Sequence, residues 1–117
     1  MTEREQKVLA YYGRDKHAMT RRYLREATLL RKATQFAGMF ENCVLVREAN
    51  PNVSGTADLL LCYNGRFIAC ELKAIDGVAS PQQLKFIEDV KKAGGLAAIC
   101  ESLQDIWELL NQTAQRP

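Results

Sequence analysis

With 117 residues, 47% apolar and 26% charged, the chain is long enough for one domain with its own core and has an ordinary globular composition. No apolar run approaches the ~20 residues of a membrane-spanning helix, and the charged opening MTEREQK argues against a secretory leader. The net charge is +2 but lopsided: residues 1–48 carry ten Lys/Arg against six Asp/Glu, residues 49–117 six against eight.

The four cysteines, Cys43, Cys62, Cys70 and Cys100, show no C-x-x-C spacing, and His17 is the only histidine. That pattern argues against a zinc ribbon or finger and for free, strand-buried thiols in a reducing, cytoplasmic compartment.

In chain order, Thr2-x-x-Glu5 reads as a capping box opening a short helix to about Lys16. Thr20 is the expected cap of a longer helix reaching about Gly38, with Tyr23, Ala27, Leu30, Thr34 and Ala37 as its apolar stripe. Glu26 falls at the edge of that stripe, where a carboxylate needs a partner. It either pairs with Arg22 or Arg25 or serves a site. Arg21, Arg22, Arg25 and Lys32 point away from the stripe, as a solvated face or a surface for a polyanion.

Cys43–Glu48 is a β-branched strand, and Asn50–Gly55 a turn-rich loop. Gly55–Lys73 then reads as two strands joined by Asn64-Gly65, a turn pair suited to φ > 0 at both positions. A two-residue loop makes Tyr63 face Arg66, Cys62 face Phe67, Leu59 face Cys70 and Asp58 face Glu71. Lys73 shares the face of Glu71. Facing carboxylates repel unless a shared proton or a cation compensates.

Ser80-Pro81-Gln82-Gln83 specifies a helix start, with an N-cap serine, proline at the first position and glutamine three residues after the cap. Leu84, Ile87 and Val90 give it a buried face, and Gly94-Gly95 stops it. Leu96–Cys100 is a short strand, Ser102 caps a last helix, and the tail from Asn111 is expected to fray. The order α, α, β, β, β, α, β, α combines an antiparallel hairpin with a right-handed crossover to a parallel strand. The fold class is therefore α/β, with one mixed central sheet and helices on its faces. One domain spans 1–117, with 1–19 as a helical extension and 111–117 as a frayed tail.

Glu26, Asp58 and Glu71 make an all-oxygen set, which suits Mg²⁺ or Mn²⁺ rather than zinc. Such an ion assists water attack on a phosphodiester, and the ammonium of Lys73 could orient that water or steady the phosphoryl oxygens.

Gly55-Thr-Ala-Asp58, Gly65–Lys73 with Glu71-Leu-Lys73, Ser80-Pro-Gln-Gln83 and Ala93-Gly-Gly95 together resemble the PD-(D/E)XK nuclease superfamily, and within it the stand-alone VRR-NUC type. The resemblance runs from about Thr20 to Leu110. It implies a restriction-endonuclease-like fold and a metal held by Asp58, Glu71, the Leu72 carbonyl and Glu26. It also implies a catalytic Lys73 and a Gln83 that touches the site or the scissile phosphate; alternatively Gln83 only caps its helix. Where the family commonly has proline, this chain has Ala57, which removes no ligand. Similar proteins act as homodimers on branched DNA, so the expected activity is Mg²⁺- or Mn²⁺-dependent endonucleolytic cleavage of four-way or flapped DNA, with Arg21, Arg22, Arg25 and Lys32 on the DNA. The competing expectations are a catalytically silent DNA-binding or assembly protein of the same fold, and an RNA nuclease or small-molecule phosphodiesterase.

Overall fold

A computed structural model of the chain describes residues 2–47 and 58–112. The Asn50–Gly55 loop, Glu48, Thr56 and Ala57 lie outside the described residues.

The hairpin forms where the turn pair demands it. Asn64 and Gly65 both adopt positive φ, 51° and 79°. They join β2 (Leu59–Tyr63) to β3 (Arg66–Leu72) in the expected register, from Tyr63 opposite Arg66 to Leu59 opposite Cys70. β1 (Cys43–Arg47) pairs antiparallel with β2, and β4 (Leu96–Cys100) pairs parallel with β3, giving one sheet of order β1-β2-β3-β4. The crossover helix α3 (Pro81–Lys92) has the full Ser80/Gln83 capping box and Pro81 in its first turn. It ends where Gly94 takes φ 97°.

Helices cover both faces unequally. On one face α1 (Glu3–Tyr12), α2 (Glu26–Ala37) and α4 (Leu103–Gln112) bury the main core, in which Leu29, Phe36, Leu59, Ile68, Leu103 and Ile106 are fully enclosed. On the other, α3 covers β3 and β4 through a small cluster of Ala69, Ile87 and Ala97. Beyond α3 the outer face of β1 and of the hairpin end of β3 stays bare, with Val44, Val46 and Phe67 exposed.

The helices near the N-terminus differ from expectation in two ways. α1 has its capping box and places Val8 in the core, but ends at Tyr12 rather than Lys16. α2 starts at Glu26, not after Thr20, and its N-cap residue Arg25 makes no side-chain cap bond. The backbone before it is drawn into tertiary bonds instead: the Met19 carbonyl accepts from Gln104 N–H at 2.7 Å and the Tyr23 carbonyl from Ile75 N–H at 3.1 Å. With these two carbonyls engaged across the fold, the helix does not run on continuously through them, although Arg21 N–H still donates to the His17 carbonyl at 2.8 Å, so propensity yields to packing. The buried face of α2 is Leu29, Ala33, Phe36 and Ala37, with Ala27 exposed. The expected stripe is rotated, and Glu26 comes out exposed rather than on the buried edge. On α3 only Ile87 is buried, while Leu84 is exposed. Asn111 and Gln112 are still helical.

Candidate active site

The end of β3 carries a glutamate and a lysine that the fold encloses. Glu71 is 1% exposed and Lys73 8%. Charges this deep are costly without partners, so the partners identify the site.

Asp58 sits one residue before the first paired residue of β2, so the register carried one step further sets it against Glu71. One carboxylate oxygen of Asp58 accepts the Leu72 backbone N–H at 2.8 Å. This bond fixes Asp58 at the strand entrance, with its charge beside Glu71, the residue before Leu72. Burial, and then the Asp58 carboxylate, push the Glu71 carboxyl up to about 7, against the pull of Lys73.

Glu71 is held at one oxygen and bare at the other. Its Oε1 accepts from Gln83 Nε2 at 2.7 Å and lies 3.3 Å from Lys73 Nζ. Among the described residues its Oε2 is buried and accepts no hydrogen bond, while the Asp58 carboxylate stands beside the Glu71 carboxyl. Lys73 in turn lies 3.8 Å from Glu26 Oε1. The turn after β3, closed by Gly77 N–H to the Ala74 carbonyl, lets the lysine stem lie flat. A Cβ on Gly77 would meet that carbonyl at 3.1 Å and Lys73 Cδ at 3.3 Å.

Gln83 does two things at once. Its Oε1 accepts the Ser80 backbone N–H at 2.8 Å, completing the capping box, while its Nε2 donates to Glu71. Cap and site partner are alternatives on the sequence alone, yet an amide has two ends and the structure uses both. Gln83→Leu should therefore cost more than the ~1 kcal/mol of a lost cap, since a buried acceptor loses its donor at a further ~1–3 kcal/mol. Urea unfolding of Gln83→Leu beside Ser80→Ala checks this. Equal losses in the two variants would make the Glu71 bond idle.

The expected metal-ligand set is brought together only in part. Among the described residues no three His, Cys, Asp or Glu side chains converge into a metal-binding cluster. Asp58 and Glu71 meet, but Glu26 stands off, half exposed and facing Lys73. Glu26, Asp58 and Leu72 nevertheless line one cleft of about 210 Å³. The residues fit a hard cation on two grounds. The donors are all oxygen, and the buried Glu71 Oε2 has no hydrogen-bond donor among the described residues, with the Asp58 carboxylate beside its carboxyl group.

The basic residues expected on DNA are spread over different surroundings. Arg21 pairs with Asp15 at 2.8 Å, and Arg22 with Glu101, 79 residues away in sequence. Arg25 is exposed at the α2 N-terminus, and Lys32 is partly covered in a cavity beside Tyr11 and Tyr12. Thus Arg21 and Arg22 lie before α2, not on an exposed helical face as the longer helix would have had them. All four cysteines are free thiols, Cys70 and Cys100 buried and Cys62 exposed.

No family model and no curated protein matches the chain. A solved structure described as a VRR_NUC domain superposes with a TM-score of 0.60 at 20% identity, covering 74% of this chain and 94% of that one. The mixed four-stranded sheet with helices on both faces is therefore the restriction-endonuclease-like fold of a VRR_NUC domain.

Proposed function

We propose that the protein is a metal-dependent endonuclease that hydrolyses phosphodiester bonds in branched DNA, acting as a homodimer. The observation that carries the reading is Glu71: a buried carboxylate with one unpartnered oxygen, flanked by a second carboxylate on Asp58 and by the buried ammonium of Lys73. Among the described residues no donor reaches its second oxygen, and two adjacent carboxylates need a shared proton or a cation between them.

In this reading Asp58, Glu71 and the Leu72 carbonyl hold Mg²⁺ or Mn²⁺, with Glu26 closing the cleft from α2. The cation supplies Lewis-acid neutralisation of phosphoryl charge and makes a water more acidic. The chain's own groups do the rest. Gln83 fixes Glu71 by one oxygen so that the other faces outward from the capping box. Lys73, immobilised by Glu71, Glu26 and the Gly77 turn, places a point charge where negative charge grows on the phosphoryl oxygens. Leu30 and Ala27, on the wall of the cleft, limit the water that reaches it.

A supercoiled plasmid and a panel of linear, flapped, four-way and RNA substrates, each with Mg²⁺, Mn²⁺ or EDTA, test the reading. Nicking that requires the cation and favours branched DNA is the expected result. Tight binding of DNA without turnover under any cation would leave a binding protein of nuclease fold, and turnover confined to RNA would reassign the substrate.

A further inference from the structure

The segment between α1 and α2 that packing keeps out of a helix forms one wall of a groove. A cavity of about 340 Å³ opens among Tyr11, Arg14, Asp15, Arg21, Tyr23 and Lys32, with Tyr12 also in its lining. A second, of about 440 Å³, shares Tyr11, Tyr12 and Lys32 and continues along α2 to Met39. The rings are differently employed. Tyr12 packs on Phe36, centroids 5.7 Å apart, and so belongs to the core. Tyr11 is 60% exposed and meets Tyr12 edge-on, at 81° and 5.0 Å. With more than half of its surface open, the Tyr11 ring still offers area to a further partner.

We propose that this groove binds an unpaired DNA strand, with one base stacked on Tyr11 and backbone phosphates on Arg14 and Lys32. The inference rests on the nuclease reading and narrows its substrate to DNA in which a duplex opens into a single strand, such as a flap or fork, rather than a fully paired four-way junction. Two observations favour a strand over a duplex. An exposed aromatic face gains from an unstacked base, whereas duplex bases are already stacked on one another. The lining mixes charge: Asp15 stands among the cations and ties up Arg21 at 2.8 Å. A carboxylate repels a continuous phosphate row but accepts from base N–H groups, which only an unpaired base offers on its pairing edge. The segment that lines the groove is also tied to the turn after β3: the Tyr23 carbonyl accepts from Ile75 N–H, two residues beyond Lys73, and Lys32 and Glu26 lie six residues apart on α2.

The test is fluorescence anisotropy in EDTA, so that no cleavage intervenes. It uses labelled oligothymidine, a duplex of equal length, thymidine monophosphate as competitor and heparin as a charge-only competitor. Tyr11→Ala is expected to weaken oligothymidine binding on the order of tenfold, the scale of one lost stack, and to leave duplex binding and plasmid nicking unchanged. Lys32→Gln is expected to reduce the log–log salt dependence for the single strand by ~0.7. Circular dichroism of both variants confirms that they fold. Equal single-strand binding by wild type and Tyr11→Ala overturns the proposal, as does a parallel loss on the duplex. Competition by the monophosphate as strong as by the oligonucleotide makes the groove a mononucleotide site and overturns the strand. If heparin displacement depends on Tyr11 as strongly as oligothymidine binding does, base stacking is not what the ring supplies. Metal-dependent nicking that persists through any of these results leaves the nuclease reading in place.

Discussion

Glu71→Gln is expected to abolish cleavage and, at the same time, to make the metal-free protein more stable above neutral pH. The sign follows from burial. The Glu71 carboxyl is raised from 4.5 to about 7 by desolvation and by Asp58, so the folded protein holds this proton where the unfolded chain has lost it. Stability from this group is intact below about 4.5 and declines as pH rises toward 7. At about pH 8 the wild type bears the whole penalty, on the order of 3 kcal/mol, and the neutral isostere bears none. Urea denaturation in EDTA across that range should show the two proteins converging in acid and diverging in base. Added Mn²⁺ should close the gap by stabilising the wild type alone. A wild type that gains nothing from Mn²⁺, or a glutamine variant that still cleaves, would remove Glu71 from the metal site. Asp58→Asn retains an acceptor for Leu72 N–H and should likewise lose cleavage and the Mn²⁺ response while still binding DNA.

Lys73→Met should lower the single-turnover rate by ~10²–10³, the usual loss when one transition-state donor is removed, with little change in DNA affinity. The substitution keeps the stem against Gly77 but takes the cationic partner from Glu71, so urea unfolding beside the rates separates a lost donor from a lost fold. Replacing Arg22 and Arg25, which are exposed, should do the reverse: weaker binding, a salt dependence flatter by ~0.9 for each phosphate no longer neutralised, and an intact chemical step. Rates and binding constants for both variants over a range of salt make the comparison. The opposite assignment, with chemistry lost from the arginines and affinity from the lysine, would move the active site off β3.

How much of the fold is legible in the sequence depends on how local its causes are. Asn64-Gly65 fixes the hairpin because the turn is decided by two residues, and the register that follows brings Asp58 to Glu71. The Ser80-Pro81-x-Gln83 start of α3 is equally local. The stretch from Arg21 to Arg25 departs from its expected helix because the carbonyls of Met19 and Tyr23 are bonded to Gln104 and Ile75, which no window of sequence contains. Arg22 reads as a free helical cation for the same reason, its partner Glu101 lying in the β4–α4 connection. With the start of α2 displaced, its buried face rotates too, and Glu26 moves from a buried edge to the rim of the cleft. The chemistry of Glu71 and Lys73 is legible, while the approach to them is not.

The two-ended bond of Gln83 has a consequence for motion. The first turn of α3 and the carboxylate of Glu71 share one amide, so neither can loosen alone. Fraying of the helix start takes Nε2 away from Glu71, and a swing of Glu71 releases the amide that holds Ser80. Helix ends ordinarily open with little cost. Here that opening is coupled to the interior of the sheet, and the backbone N–H groups of Ser80 and Gln83 become reporters of the site. Their hydrogen exchange should slow when a cation occupies the cleft, although neither group touches it, and should quicken in Glu71→Ala.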